Sequence, residues 1–288
     1  MADSRVGFIG GSGLYDMDGI EDSREVRVET PFGDPSDAIT VGTLDGVDVA
    51  FLPRHGRGHR LLPTEIPVRA NIYALKSLGV QSIVSVSAVG SLKEHLKPLD
   101  LVVPDQIIDR TKSRPSTFFG DGVAAHIGFA DPFCPTLHPL AVRSGLDEGA
   151  DTHSGGTYVV MEGPQFSTRA ESVVYRNWGA SVIGMTALPE AKLAREAEIC
   201  YVTLAFVTDY DVWHQSEEEV SVELIVQNLL ANVSTAQRII RRMIADIPSL
   251  AACSCRSALE SAIITSPDAI PERARERLGL LIDKYVKD

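Results

Sequence analysis

Helical segments that alternate with short, continuously apolar segments are the feature that most restricts what this chain can fold into. A predicted helix from about Pro67 to Leu78 ends at Gly79 and precedes the apolar run Ile83 to Val86. A strand that is apolar on both faces has to be covered on both faces. The pattern therefore predicts an α/β fold with a central sheet between helices. The same order recurs in Ser167 to Trp178 with Ser181 to Ile183, and in Glu190 to Glu198 with Cys200 to Val207.

Three shorter apolar runs near the start of the chain also predict strands: Val6 to Ile9, Ile39 to Val41 and Val49 to Leu52. A length of 288 residues without repeats, low-complexity tracts or long linkers predicts one domain. The stretch from Thr111 to Pro135 is rich in Gly, Pro, Phe and His and has no periodicity. It is either an ordinary surface loop or a functional one.

Charge and composition exclude several classes of function. A net charge of -12 repels a phosphate backbone, and no basic run interleaved with aromatic residues compensates for it, so binding to polymeric nucleic acid is not expected. Residues Met1 to Arg5 show no signal-peptide pattern, and no apolar stretch reaches membrane-spanning length. We therefore expect a cytoplasmic protein with small-molecule ligands and no membrane partner.

The four cysteines are expected to be buried free thiols, because an intracellular chain of this size usually keeps its thiols reduced. A zinc site needs two pairs of ligands at regular spacing. Cys253-Ser-Cys255 is one such pair, but no second pair or histidine cluster accompanies it. No metal site is therefore predicted.

Polar residues and glycines follow three of the predicted strands, at the edge where ligands of open α/β sheets bind. Gly10-Gly11-Ser12-Gly13 follows the first strand, Arg54 and His55 follow Val49 to Leu52, and Ser87 to Ser91 follow Ile83 to Val86. Backbone N–H groups, hydroxyls and the planar fork of an arginine all bind phosphate. Each segment alone is equally compatible with a tight turn or a solvated loop. Together they would build a phosphate cradle.

A second group of residues has the chemistry to read a purine. Asp209 and Asp211 come directly after the apolar run Tyr201 to Val207, and Phe166 stands before a helix that we predict to be capped by Ser167. A carboxylate accepts from an amine, and a carboxylic acid donates one proton, so a pair beside adenine can read its 6-amino group and a ring nitrogen. Gly184 to Glu190 is expected at the same place. Helix caps and a core phenylalanine are the alternative explanations.

As a set, the residues resemble the purine nucleoside phosphorylase family in its trimeric branch, most closely its members that act on methylthioadenosine. The motifs stand in the family's order over roughly residues 5–247. They are Gly-Gly-Ser-Gly-Leu at residues 10–14, Thr30-Pro31-Phe32-Gly33, Pro35-Ser36-Asp37, Arg54-His55-Gly56, Ala70-Asn71-Ile72, Gly90-Ser91-Leu92, Asp105-Gln106, Glu162-Gly163-Pro164, Arg169-Ala170-Glu171 and Asp209-Tyr210-Asp211.

The resemblance implies one domain over residues 1–288, a mixed twisted sheet curled into a distorted barrel and flanked by helices. It implies reversible phosphorolysis of 5′-deoxy-5′-methylthioadenosine to adenine and 5-methylthioribose 1-phosphate, with some activity on adenosine. Phosphate is a co-substrate, and no metal or organic cofactor is implied. A homo-oligomer is expected, most simply a trimer, with a hexamer as the other possibility.

The resemblance also assigns roles to single residues. Ser12, Arg54, His55, Ser87, Ala88 and Thr186 would hold phosphate. Met185 would lie under the ribose, Phe166 and Ser167 would border the base, and the catalytic pair Asp209 and Asp211 would face adenine N7 and the 6-amino group. Val220, Val222, Ile225 and His126 would surround the methylthio group, with His126 coming from a neighbouring subunit.

Asp209 also bears on the choice of base. Relatives that use inosine and guanosine carry an asparagine there, and an ionised aspartate cannot donate to O6 as that amide can. Three other readings stay open: a purine nucleoside phosphorylase of broader specificity, a nucleosidase that uses water, and a non-catalytic purine-binding regulator.

Residues 248–288 extend past the family's common core. There the chain resembles an archaeal-type branch with a comparable Cys-x-Cys and further disulfides, so the oxidation state of the cysteines stays open. A last helix, Arg275 to Val286, is predicted to pack through Leu278, Leu281, Ile282 and Tyr285.

Overall fold

One mixed sheet of eleven strands forms the centre of the computed structural model, which describes residues 5–11, 14, 17–214, 222–247 and 253–286, without the side chains of 222–225 and 229. The strands are β1 (Arg5–Gly10), β2 (Glu21–Val26), β3 (Ile39–Leu44), β4 (Val47–Pro53), β5 (Val80–Ser91), β6 (Leu101–Val103), β7 (Gln106–Arg110), β8 (Thr152–Ser154), β9 (Thr157–Met161), β10 (Val182–Gly184) and β11 (Cys200–Asp209). The helices are α1 (Val68–Ser77), α2 (Leu137–Asp147), α3 (Arg169–Asn177), α4 (Ala187–Glu196), α5 (Val222–Ile244) and α6 (Glu272–Ile282).

The sheet branches at β5. One path runs β2-β3-β4-β1-β5-β10-β9-β7, and a branch leaves β5 through β11 and β6 to β8. Strands β4, β1, β5 and β11 are parallel neighbours, so their carboxyl ends lie at one edge. The prediction of a mixed sheet flanked by helices is confirmed. The expected barrel is incomplete, because the described strand pairing ends at β2, β7 and β8 and does not close.

Helices cover both faces of the sheet, as the apolar strands predicted. α1, α4 and α6 pack on one face through residues such as Leu75, Leu193 and Leu278. α2 and α5 pack on the other face through residues such as Leu140 and Met243. Strand β11 is buried along its whole length and contributes alternate residues to the two cores.

Several predicted boundaries move. β5 is 12 residues long and includes Ser82, Ser85, Ser87 and Ser91, which are all buried and which break the apolar pattern that predicts strands.

The cap of α3 is Thr168 and not Ser167. The Thr168 hydroxyl accepts from the Glu171 N–H, and the Glu171 carboxylate accepts from the Thr168 N–H in return. That reciprocal pair explains why the helix begins one residue later than expected.

The remaining predictions concern the loop, the last helix and the membrane. Residues 111–136 contain no helix or strand of the described set, as their lack of periodicity indicated. α6 buries Leu278, Leu281 and Ile282. No helix among the described residues is long and apolar enough to cross a membrane.

Candidate active site

A pocket opens at the carboxyl edge of the parallel strands and collects most of the predicted site residues. The segments after β4 and β10 and the carboxyl-terminal residues of β5 and β11 contribute to its wall. The predicted residues that line it are Arg54, His55, Ser87, Ala88, Phe166, Met185, Thr186, Asp209 and Asp211. Arg54 and His55 follow β4, Ser87 and Ala88 lie near the carboxyl end of β5, and Asp209 ends β11, so parallel strands bring these residues to one edge. Met185 and Thr186 enter the pocket from β10, which runs antiparallel to β5.

Arg54 is fixed at the base of this pocket by a buried ion pair with Glu190. Arg54 Nε lies 2.5 Å from Glu190 Oε1, and the two side chains are 2% and 3% exposed. Arg54 Nη2 also donates to Ser85 Oγ at 2.6 Å, and Nη1 donates to Val86 O at 2.8 Å. Glu190 further accepts from the Tyr201 hydroxyl at 3.0 Å. Both charges are therefore hydrogen-bonded as well as paired, which a buried ion pair requires.

This arrangement changes the expected use of the arginine. The sequence suggested a planar fork turned toward phosphate, but Nε and Nη2 of that fork bind Glu190. Among the described residues, Nη1 has one acceptor, Val86 O, for its two hydrogens. Arg54 can therefore offer a ligand in the pocket one N–H and a positive charge.

His55 is a neutral imidazole in this setting. Its Nδ1 lies 2.8 Å from Leu61 O, so Nδ1 carries the proton and donates it to that carbonyl. Burial, with Arg54 and His59 nearby, lowers the pKa of His55 to about 4. Nε2 is left as an acceptor, suited to a proton-bearing oxygen of a partly protonated phosphate.

Ser87, Ala88 and Thr186 complete this side of the pocket. β1 pairs with β5 only as far as Ser85, so Val86 and Ala88 extend beyond the described β1 pairing. Ala88 is two residues after Val86, so its N–H points to the side where Arg54 binds Val86 O. The Ser87 and Thr186 hydroxyls lie 2.8 Å apart, so one of them donates to the other.

A bulge in β11 sets the direction of Asp209. Val207 pairs with Val89 and Asp209 with Gly90, so Thr208 is an extra residue on this strand. The bulged backbone is held from α5, since Asn228 Nδ2 donates to Thr208 O at 2.6 Å and Asn232 Nδ2 donates to Val207 O at 3.3 Å. The bulge is therefore a fixed feature of the strand end.

Thr208 gives Asp209 a partner in either protonation state. Its Oγ1 lies 2.7 Å from Asp209 Oδ2 and 3.2 Å from Val89 O. One hydroxyl proton cannot serve both acceptors fully. When Asp209 is ionised, Thr208 donates to it. When Asp209 is protonated on Oδ2, Thr208 can accept that proton's hydrogen bond and donate to Val89 O instead.

Asp211 is placed beside Asp209 by strained backbone and one buried serine. Its φ of 51° is in the left-handed region, which aspartate tolerates better than most residues. Its Oδ2 accepts from Ser172 Oγ of α3 at 2.5 Å, and its N–H donates to Asp209 Oδ1 at 2.8 Å. A Cβ on Gly90 would lie 3.1 Å from Asp209 Oδ1 and 3.3 Å from Asp211 Cβ, so a glycine allows this approach.

Burial favours the protonated form of both carboxyls. It is the main cause that raises the pKa of Asp209 and that of Asp211, with the neighbouring charge of Asp209 adding to the effect on Asp211. The Thr208 hydroxyl acts in the opposite direction on Asp209, and Ser172 does so on Asp211. The two residues can therefore hold a proton closer to neutral pH than an exposed aspartate can.

Phe166 and Met185 also line the pocket. Phe166 is 49% exposed, unusual for a phenylalanine, so its ring is free to stack on a ligand. Met185 lies against Gly163, where a Cβ would meet its Sδ at 2.5 Å. The buried guanidinium of Arg114 holds this wall by donating to Met185 O at 2.6 Å and Leu188 O at 2.8 Å.

Six predicted site residues lie elsewhere or are not described. Ser167 is outside the pocket lining, and its hydroxyl contacts the sulfur of Met161, which does line the pocket, at 3.6 Å. His126 is exposed and is not among the residues that line this pocket. Ser12 and Val220 lie outside the described residues, and the side chains of Val222 and Ile225 are not described.

Sequence reasoning missed four groups that support this pocket: Glu190 as the partner of Arg54, Ser172, Thr208 in its hydrogen-bonding role, and Arg114. Glu190 and Thr208 do stand in segments that were expected at the site. Nothing in the local sequence marks Ser172 or Arg114, because each acts across the fold on a residue that is distant in the chain.

Comparison with known proteins agrees with this geometry. The family model described as "Phosphorylase superfamily" matches residues 5–245. The chain belongs to this phosphorylase superfamily. The match covers every described strand and helices α1 to α5, and it ends before residues 253–286.

Curated relatives within the family match almost end to end. The S-methyl-5′-thioadenosine phosphorylase of Koribacter versatilis is 57% identical over 98% of this chain and 97% of that protein. The protein of the same name from Geobacter sulfurreducens is 57% identical over 98% of this chain and 99% of its own length. The similarity therefore includes the segment beyond residue 245.

Solved structures of the family superpose on this fold. A methylthioadenosine phosphorylase from an antarctic soil metagenomic library has a TM-score of 0.93 and 53% identity, over 98% of this chain and 100% of that one. A methylthioadenosine phosphorylase from Schistosoma mansoni, in complex with adenine, has a TM-score of 0.79 and 35% identity over 85% of this chain and 92% of that one.

Proposed function

We propose that this chain catalyses the reversible phosphorolysis of 5′-deoxy-5′-methylthioadenosine, giving adenine and 5-methylthioribose 1-phosphate. The observation that carries the proposal is one pocket with two chemically different ends. Arg54, His55, Ser87 and Thr186 line one end, and the buried pair Asp209 and Asp211 lines the other. The names of relatives that are 52–57% identical agree with this reaction.

The first end suits inorganic phosphate. Arg54 supplies a fixed positive charge and one N–H, and Ser87 and Thr186 supply hydroxyls 2.8 Å apart. His55 Nε2 can accept a hydrogen bond from a protonated phosphate oxygen, and the Ala88 N–H points to the same side of β5 as Arg54. We place Ser12 here as well, from its position in the glycine-rich segment after β1. This donor set lets the site hold an anion in a chain of net charge -12.

The carboxyl end suits adenine. We assign Asp209 to N7 and Asp211 to the 6-amino group. A phosphate oxygen attacks C1′ while the C1′–N9 bond breaks, and the bond's electron pair goes to the purine. Adenine is a poor leaving group as an anion, so a proton from Asp209 at N7 neutralises the charge as it develops. The attacking group is the bound phosphate, so the protein needs no nucleophile of its own.

The sugar and its 5′ group occupy the space between these ends. We place Met185 under the ribose, and Phe166 with Ser167 beside the base. Val220, Val222 and Ile225 would form the apolar wall around the methylthio group. An apolar pocket discriminates a methylthio group from a hydroxyl by only about 1–3 kcal/mol, so we expect slower turnover of adenosine.

We further propose a homotrimer in which His126 of one subunit reaches the 5′ end of its neighbour's pocket. His126 is exposed, and its N–H donates to Ala262 O at 2.9 Å, next to an Ile264 that is 67% exposed. Val173 of α3 and Trp178, the residue that caps its C-terminus, are large apolar side chains that are 50% and 51% exposed and that a neighbouring subunit would cover. Light scattering of the purified chain tests this: a trimer or hexamer agrees with it, and a monomer with full activity contradicts it.

The decisive experiment measures adenine release from methylthioadenosine with and without phosphate, with adenosine, inosine and methylthioinosine in parallel. The proposal requires phosphate-dependent release of adenine and inert 6-oxo substrates. Release without phosphate would mean a nucleosidase, and turnover of the 6-oxo substrates would mean a broader purine nucleoside phosphorylase. Binding without product would mean a purine-binding protein without catalysis.

A further inference from the structure

The four cysteines of the chain come together in one buried cluster. Cys134 precedes α2, Cys200 begins β11, and Cys253 and Cys255 belong to the segment after α5. Their sulfur atoms all lie within 4.8 Å of one another. The exposed fractions range from 0% for Cys200 to 8% for Cys253. The sequence argument against a metal site therefore fails, because Cys134 and Cys200 supply the second pair of ligands from distant parts of the chain.

The spacing of the sulfurs fits a metal ion better than disulfides. Cys134 Sγ and Cys253 Sγ are 3.4 Å apart, and all four cysteines are free thiols. A disulfide bond is about 2.05 Å long. Tetrahedral zinc with Zn–S bonds of about 2.3 Å places its sulfurs about 3.8 Å apart. The 3.4 Å distance and the 4.8 Å limit within which all four sulfurs lie bracket that value.

The surroundings also favour a thiolate at Cys134. The Leu137 N–H, in the first turn of α2, donates to Cys134 Sγ at 3.4 Å, and Thr136 Oγ1 lies 3.1 Å from the same sulfur. The positive end of a helix dipole stabilises a thiolate at this place.

We propose that Cys134, Cys200, Cys253 and Cys255 bind one zinc ion as a tetrathiolate. Four thiols lose their protons to solvent when the ion binds. Four protein ligands leave no open coordination position, so the site is structural. It also lies away from the pocket: Cys200 and Asp209 are the two ends of β11, about 30 Å apart at roughly 3.3 Å per residue.

The role of the ion would be to fix the C-terminal segment to the start of β11. Glu198, two residues before Cys200, already binds this segment by accepting from the Leu259 N–H at 3.0 Å and from Lys284 Nζ at 3.1 Å. The zinc would add a second attachment at the same place. The segment carries α6, which covers one face of the core.

The test is the metal and thiol content of the full-length wild-type chain, produced in zinc-supplemented medium and purified without metal-affinity resin. We expect one zinc per chain by mass spectrometry of the elements, and four thiols per chain once a chelator and a denaturant are present. Cys253→Ser and Cys255→Ser should each retain less than a tenth of the zinc. Ser254→Ala, at the exposed residue between them, should retain all of it.

Cobalt substitution gives a second readout. The cobalt-loaded wild type should show thiolate-to-cobalt charge-transfer absorption that Cys253→Ser lacks. A metal-free chain with four thiols overturns the proposal, as does a non-reduced mass lower by two hydrogens for each disulfide. Iron in place of zinc, or zinc retained in both cysteine variants, overturns it as well. If the variants fail to fold, the wild-type zinc and thiol counts decide, and none of these readouts depends on the proposed reaction.

Discussion

Replacing Asp209 with asparagine should remove the proposed proton donor and leave the fold intact. The variant's Oδ1 can still accept from the Asp211 N–H, which lies 2.8 Å from that oxygen in the wild type. Its amide nitrogen can donate to Thr208 Oγ1, because the Thr208 hydroxyl can turn to Val89 O, 3.2 Å away. Every buried polar atom of the new side chain therefore has a partner, and we expect the unfolding free energy to change by less than about 1 kcal/mol.

The expected loss of rate follows from the chemistry at N7. General acid assistance contributes about 10²–10⁴-fold, which is about 2.7–5.4 kcal/mol of transition-state stabilisation at about 1.36 kcal/mol per factor of ten. An amide does not supply a transferable proton, so kcat with methylthioadenosine should fall by that factor. The proposed phosphate site lies at the other end of the pocket, so the KM for phosphate should stay within about threefold.

The assay is steady-state adenine release at varied phosphate and varied pH. Burial raises the pKa of Asp209, and the acid is active when protonated, so wild-type kcat should fall as pH rises through that pKa. The variant should lack this decline. Asp105→Asn, at an exposed aspartate outside the pocket, is the matched control and should keep wild-type kcat. A variant kcat within about twofold of wild type, or a phosphate KM that rises as much as kcat falls, would refute the assignment.

Three further substitutions test the supporting residues. Glu190→Gln leaves the charge of Arg54 buried without a carboxylate and should lower the urea-unfolding free energy by about 3–5 kcal/mol. The control Lys192→Met breaks the ion pair with Asp109, whose two side chains are 29% and 31% exposed, and should cost about 0–1 kcal/mol. Equal losses of unfolding free energy in the two variants would contradict the argument. The pKa of His55 is lowered from 6.5 to about 4, so its contribution to stability is present above pH 6.5 and is lost as pH falls through about 4. Wild type should lose about 2–3 kcal/mol more than His55→Gln between pH 7 and pH 4, and identical acid sensitivity would contradict this. Thr208→Val should lower kcat about tenfold, because the Asp209 carboxylate loses the hydrogen bond from the Thr208 hydroxyl. Thr208→Ser keeps a hydroxyl, so its kcat should stay within about threefold of wild type. Equal losses of kcat in the two variants would show that the hydroxyl has no role in the reaction.

The position of the pocket could be predicted from the sequence because strand ends are visible in it. Arg54 and Asp209 each follow an apolar run, and parallel strands bring such residues to one edge. The geometry within the pocket could not be predicted. The fork of Arg54 binds Glu190, which is 136 residues away, and the bulge at Thr208 depends on amides of α5. Contacts of this kind depend on how the elements pack, which local patterns do not encode.

The same limit explains the errors in the fold. β5 appears as a four-residue run in the sequence because its serines interrupt the apolar pattern, yet it is the central strand of the sheet. Ser85 is buried there because it donates to Glu190 Oε2 at 2.9 Å while accepting from Arg54. A rule based on hydrophobicity assigns such a polar residue to the surface, because the rule does not include the buried ion pair that the serine binds.

The pairing of β5 with β11 explains why the two ends of the proposed reaction can be held in one rigid pocket. Val86 O of β5 binds Arg54, and Gly90 of the same strand faces Asp209. These residues are four apart, so their Cα atoms are about 13 Å apart at roughly 3.3 Å per residue. A nucleoside between phosphate and the carboxyl pair spans a similar length. The distance between the proposed phosphate site and the proposed purine site is thus fixed by one strand, and closure of a lid is not needed to set it.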